Sequence, residues 1–239
     1  MNLMARFVAD YSRRSRAKRG EVFRRLFPLN PDTTLLDLGS ESGAHIAMLL
    51  AGTSITPRNV YIADIDPDAV ARGAEIHGFT PVVINESGRL PFADGFFDIV
   101  HCSSVVEHVT VPKSDMWNIR SGREFRALSE AAQQKFADEI MRVGKQYYVQ
   151  TPDRWFPVES HSWLPFLGWL PRRALIPVLH FSNSFWIKKT CPDWHLLDAR
   201  QLSELFAGRP VIKERSLGMV KSITAVKTAA LPPRSGSNE

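Results

Sequence analysis

Leu35-Leu36-Asp37-Leu38-Gly39-Ser40-Glu41-Ser42-Gly43 sets the reading of this 239-residue chain. A short apolar run enters a polar turn bracketed by two glycines, and apolar residues at helical spacing follow over 43–51. A strand, a glycine turn and a helix in that order let a ligand approach bare backbone and offer it unpaired helix N–H groups. A dinucleotide fingerprint needs glycine at each position of GxGxxG, but from Gly39 the next two positions hold Glu41 and Ala44. The Glu41 carboxylate would also repel a pyrophosphate. The failed pattern leaves a nicotinamide dehydrogenase only as a remote third reading.

Outward from this segment the chain alternates. Strands are expected at 34–38, 59–63, 81–84, 97–102 and 146–150, with helices over 43–51, 67–77 and 123–142 between them. The last helix places Phe125, Leu128, Ala132, Phe136 and Ile140 on one face and stops at Gly144. Short apolar strands separated by helices form parallel strands joined by right-handed crossovers, a doubly wound α/β sheet. A short helix at 198–206 and two strands, 211–216 and 222–227, follow. About five residues around Gly218 join those strands, so they close the sheet as an antiparallel hairpin. The expected whole is a mostly parallel seven-stranded sheet.

The segment between these parts differs in composition. Residues 152–194 hold six of the prolines and five of the six tryptophans. The expected organisation is basic helices over 1–30 packed on the core, a ligand-binding core over 31–151, and a Trp/Pro-rich insertion over 152–197. A closing helix and hairpin then occupy 198–228, before a loose tail at 229–239. The charge is uneven too: residues 1–25 carry a net +6, and the remainder is near neutral at −1. The basic pI therefore belongs to one segment and gives no argument for a nucleic-acid groove. Leu3, Met4, Phe7, Val8 and Tyr11, then Val22, Phe23, Leu26 and Phe27, recur at helical spacing, with the charges on the wet face. Cys102 and Cys191 fit no metal or disulfide framework, and no secretory signal is apparent, so a cytoplasmic setting is expected.

The turn at 37–43 resembles the first motif of the class I S-adenosylmethionine-dependent methyltransferases: Asp37, Gly39 and Gly43 match DxGxGxG, and Glu41 replaces the middle glycine. Tyr61-Ile62-Ala63-Asp64-Ile65-Asp66-Pro67 resembles the second motif, in which a carboxylate ending strand two accepts the ribose hydroxyls; Asp64 matches it. The run from Asn85 through Leu90-Pro91-Phe92 to Asp98 is similar to that of the subgroup containing the quinone-biosynthesis enzymes. There Glu86 stands where an acid faces the adenine amino group, with Ser87 beside the ring. Cys102-Ser103-Ser104-Val105-Val106-Glu107-His108-Val109 resembles the segment after strand four, and Glu139-Ile140-Met141-Arg142-Val143 the helix end before strand five. The resemblance covers about 30–152 plus the hairpin. It implies a Rossmann-like fold, S-adenosylmethionine as cofactor, and Asp37, Gly39, Ser40, Gly43, Asp64, Ile65, Glu86, Ser87 and Ser103 as its binding residues. Asp66 is the better cap for the helix from Pro67, and Asp98 is expected to bridge within the fold.

A sulfonium methyl is already activated, so the protein mainly aligns the acceptor and excludes water; a base matters for a hydroxyl or a protonated amine. His108 and His161 are the candidate bases, with Glu107 a further catalytic candidate. Ser104 stands where metal-using quinone-pathway relatives carry a first Glu, so no metal is expected. The 152–194 insertion reads as an acceptor cap. Its tryptophans with Arg172, Arg173, Lys188 and Lys189, and the basic N-terminus, also fit peripheral membrane contact; its prolines and arginines rule out a crossing. The expected reaction is O-methylation of a small, sugar-linked or lipid-linked acceptor. The alternatives are a non-catalytic relative that binds the cofactor or a partner and, less favoured, an RNA methyltransferase. Nucleic acid is disfavoured because strand four ends in Cys-Ser-Ser, without the Asn/Asp-Pro-Pro-aromatic motif of base amino-methylating enzymes. The oligomeric state and the acceptor are not readable.

Overall fold

Buried leucines begin the sheet. The computed structural model describes residues 17–85, 88–158, 162–186 and 188–228. All four residues of β1 (Leu35–Leu38) are buried. β1 pairs parallel with β2 (Val60–Asp64) in the register Leu35↔Val60 to Leu38↔Ala63, and β2 pairs parallel with β3 (Thr80–Val83). With β4 (Phe97–Ser103), β5 (Gly144–Pro152), β6 (Val211–Ser216) and β7 (Met219–Lys227) they make a seven-stranded sheet ordered β3-β2-β1-β4-β5-β7-β6. β6 and β7 run antiparallel. Leu217 and Gly218 alone connect them, both at positive φ, so the hairpin turn is tighter than the expected five-residue link and β7 starts three residues early.

The helices are α1 (17–26), α2 (Ala44–Leu50), α3 (Pro67–His77), α4 (Gly122–Val143), α5 (Arg172–Ser182) and α6 (Ala199–Leu205). Local chemistry sets their ends. The Asp66 side chain accepts from the Asp68 and Ala69 N–H groups at the start of α3, Pro67 supplies the first turn, and left-handed Gly78 closes it. Asp198 and Gln201 form a capping box on α6.

The chain divides into two compact units. The first comprises Met1–His101, Val143–Tyr148 and Thr228–Pro232. Its core holds Leu35, Leu36, Leu38, Ile62, Phe97 and Tyr147. Phe23 of α1 and Phe27 just after it are fully buried, and Phe23 meets Tyr148 edge-on at 5.4 Å. Arg24 corrects the expectation that the α1 charges all face water: Nη1 donates to the Leu49 carbonyl at 2.7 Å, satisfying an acceptor at the end of α2. Asp98 bridges as expected, accepting from the Thr34 N–H at 2.9 Å and from Lys145 Nζ at 2.8 Å. Residues 1–16 and 229–239, where a first basic helix and a loose tail are expected from the sequence, lie outside the described residues.

The second unit comprises Cys102–Arg142, Val149–Lys227 and Pro233–Glu239. The buried stripe of α4 is Phe125, Ser129, Gln133, Ala137 and Ile140, whereas Leu128 is exposed. Ser129 and Gln133 displace the expected Leu128 and Ala132 because both polar groups are satisfied: Ser129 Oγ donates to the Phe125 carbonyl at 2.7 Å, and Gln133 Nε2 donates to the Val106 and His195 carbonyls.

Inside the insertion, α5 buries Leu175 and Leu179 against Leu167 and Trp194, forming a small core of its own. Arg172 corrects its assignment to a lipid-facing set. It is buried, donating through Nε to the Ile119 carbonyl at 2.6 Å, through Nη1 to Pro192 at 2.8 Å and through Nη2 to Met116. Its guanidinium carbon lies 3.4 Å from the centroid of the Phe125 ring. Burial, only partly offset by Asp193, pushes its pKa down to about 10.

Candidate functional site

The glycine turn after β1 belongs to the first unit. Gly39 and Gly43 lie at φ 72° and 69°, where a side chain is strained, and Glu41 takes the same left-handed region at φ 50° despite its Cβ. The turn is tied to the end of β2. Gly39 N–H donates to the Ala63 carbonyl at 2.8 Å, and Glu41 N–H donates to Asp64 Oδ2 at 2.8 Å. Asp64 Oδ1 accepts from Asp66 N–H at 3.1 Å. Asp64 is therefore not the α3 cap; Asp66 does that work, and the Asp64 carboxylate stays at the strand end beside exposed Ile65.

Asp37 is buried, with Oδ1 2.6 Å from His101 Nδ1. The His101 ring stacks on Tyr148 at 5.8 Å and lies 5.7 Å from His45. A histidine inside an apolar strand was the signal for this pair, which sequence reasoning missed. Ser40 Oγ is buried and finds no hydrogen-bond partner among the described residues. The first unit thus gathers Asp37, Gly39, Ser40, Gly43, Asp64 and Ile65. Glu86 and Ser87 lie outside the described residues.

The second unit holds the other candidates. Ser103 Oγ donates to Gln150 Oε1 at 2.7 Å, and Ser104, at φ 59°, turns the chain while its N–H donates to the Gln150 carbonyl. A single helical turn over Val106–His108 then separates the fates of neighbouring residues. Glu107 is fully buried, its Oε2 accepting from Thr151 Oγ1 at 2.9 Å and its carbonyl from the His195 N–H at 2.7 Å. His108 is one-third exposed, with Nδ1 3.3 Å from Asp193 Oδ2.

That arrangement leaves His108 able to exchange a proton with a bound molecule and keeps Glu107 in the interior network. His195, also missed from sequence, closes the network through Nδ1 at 3.1 Å from Gln133 Oε1. Burial first, then the charges of Arg154 and Arg126, lower its pKa to about 4. His161 lies outside the described residues. Among the described residues no three His, Cys, Asp or Glu side chains gather to hold a metal ion. An open groove of about 440 Å³ is lined by Asp153, Trp155, Lys213 and Arg215 and includes none of the candidates.

Residues 36–121 match the family model of a methyltransferase domain. No curated protein matches the sequence. Among solved structures, the chain is similar to the Haloferax volcanii protein held in complex with the Trm112 methyltransferase activator, at 14% identity and TM-score 0.55 over 94% of each chain. It is similar also to a Pyrococcus horikoshii protein, at 15% identity and TM-score 0.55 over 90% of each chain. A third is the magnesium protoporphyrin IX methyltransferase of Synechocystis with bound S-adenosylhomocysteine, at 12% identity and TM-score 0.53 over 95% of this chain and 89% of that one. These likenesses show the fold.

Proposed function

We propose that this chain, a class I S-adenosylmethionine-dependent methyltransferase by its 36–121 domain and its fold, methylates an oxygen of a small, sugar-linked or lipid-linked acceptor. Its cofactor is S-adenosylmethionine, which supplies a methyl group already activated by the sulfonium charge. The observation that carries the site assignment is the bond from Glu41 N–H to Asp64 Oδ2, which holds the glycine turn and the carboxylate ending β2 as one preformed element. The residues present fit the cofactor: the buried Ser40 hydroxyl awaits a partner, and Gly39 and Gly43 take the left-handed backbone that the tight turn requires. Asp64 takes the ribose hydroxyls. The pair Asp37–His101 fixes the strand from which the turn springs.

His108 takes the proton of an acceptor hydroxyl, and Asp193 Oδ2 steadies the imidazolium that results. The Haloferax protein was solved with an activator, so a protein partner belongs to the same proposal.

Calorimetric titration with S-adenosylmethionine, S-adenosylhomocysteine and NAD tests this reading. Binding of the first two and not of NAD is expected. Asp64→Ala lowers the affinity about tenfold or more, as expected when hydrogen bonds to a charged group are lost. His108→Ala slows turnover and leaves cofactor binding intact. Folded protein that binds neither sulfur compound overturns the assignment and leaves the partner-binding relative.

A further inference from the structure

From 162 to 190 the chain contains no Asp or Glu, yet it holds Arg172, Arg173, Lys188 and Lys189, with three tryptophans and three phenylalanines. Arg172 is consumed inside the unit by backbone carbonyls, so Arg173, Lys188 and Lys189 give the surface its sign. The inner face of α5 is the packed one. Its outer face mixes exposed Arg173 and His180 with exposed Val178 and Phe181, and Phe185 follows one turn on. Phe181 and Phe185, 71% and 63% exposed, pack on each other at 5.0 Å. Trp186 Nε1 donates to the Ser162 carbonyl at 2.8 Å, which brings the end of this strip to exposed Trp163. Lys188 Nζ lies 4.9 Å from the Trp163 ring centroid. Exposed Phe166 and Trp169 form a second pair, 5.0 Å apart, in the same acid-free stretch.

Bare apolar side chains clustered beside cations on a helix flank need an apolar neighbour there. We infer that the strip Val178–Phe181–Phe185–Trp163, with Arg173, Lys188 and Lys189, docks the protein on an anionic lipid surface. Aromatic rings enter the boundary between headgroups and acyl chains while lysine and arginine reach the phosphates. No helix among the described residues is long and apolar enough to cross a membrane, so α5 lies on the surface. A second copy of the chain is a poor occupant, because a two-fold contact sets the same acid-free, basic strip against itself.

The inference is independent of the methyl acceptor and is read without methyl transfer. The full chain is sedimented with vesicles of phosphatidylcholine alone and of phosphatidylcholine with phosphatidylglycerol. Binding to the anionic vesicles only is expected. Phe181→Ser/Phe185→Ser lowers the partition about tenfold or more, and Lys188→Glu/Lys189→Glu removes the dependence on the anionic lipid. An unchanged melting temperature and unchanged S-adenosylmethionine titration show that the variants are folded. Failure of the wild type to sediment with anionic vesicles overturns the inference. Equal binding by the phenylalanine variant does so too, and hands the contact to the basic N-terminal segment. A lipid-free dimer, seen by light scattering and dissolved by the same variant, assigns the strip to a second copy instead and likewise overturns it.

Discussion

Acid should unfold this protein in part through one imidazole. His195 is buried; its neutral ring donates from Nδ1 to Gln133 Oε1, and Nε2 has no hydrogen-bond partner among the described residues. A second proton would place an N–H⁺ with no acceptor in the interior, within the field of Arg154 and Arg126. The unfolded chain takes that proton near pH 6.5 and the folded chain only near pH 4, so between these values the unfolded state binds more protons. Stability therefore falls as the pH drops through this window and levels off below it. A pKa lowered from 6.5 to about 4 corresponds to roughly 3 kcal/mol, a large part of an ordinary domain's stability.

Carboxylates titrate in the same range, so the measurement is a difference. Urea unfolding followed by tryptophan fluorescence is run on the wild type and on His195→Gln, whose amide keeps a donor for Gln133, from neutral pH to pH 4. The wild type is the more stable at neutral pH, and its advantage shrinks by roughly 3 kcal/mol on acidification. A stability difference that does not change with pH refutes the reasoning.

Two further substitutions test the packing around the site. A Cβ at Gly73 would lie 2.5 Å from both Ile62 Cδ1 and the Ser42 carbonyl oxygen, so Gly73→Ala pushes α3 off the glycine turn. It should lose about 1–3 kcal/mol in urea unfolding and weaken S-adenosylmethionine in calorimetry; a variant as stable as the wild type contradicts the contact. Arg172→Met strips donors from three carbonyls and should cost about 3 kcal/mol or more, with Arg172→Lys recovering part of it. Equal losses for the two variants would mean that packing on Phe125, not hydrogen bonding, holds the residue.

Local signals carried most of the first unit. Leucines ending at a glycine turn, and Asp66-Pro67 ahead of an apolar-periodic run, decide β1 and α3 within a few residues of themselves. The second unit resisted because its determinants are distant in sequence. Thr151 is 44 residues from the Glu107 it engages, and Gln133 is 62 from His195, so nothing near Glu107-His108 could say which of the two is interior. Polar Ser129 and Gln133 occupy core positions of α4 only because carbonyls await them there. α5 went unread because Pro171 and Pro177 look like breakers. Pro171 in fact precedes the first turn, where the missing N–H is harmless, and Pro177 is on the exposed side. A charge count could not separate Arg172 from Arg173, since burial alone distinguishes them.

The Asp64 carboxylate has a lone-pair arithmetic of its own. An ionised carboxylate offers about four acceptor directions. Backbone N–H groups take one on each oxygen, Glu41 on Oδ2 and Asp66 on Oδ1, so one remains on each, the number that the proposed contact with a vicinal diol needs. The near-isosteric Asp64→Asn is then more than a loss of charge. Whichever way the amide is turned, its NH2 confronts a backbone N–H, donor against donor. One flip unseats Glu41 and loosens the glycine turn; the other unseats Asp66 and with it the cap of α3. At this position only an acid can serve two main-chain donors and still keep two acceptor sites open, as the proposed ribose contact requires.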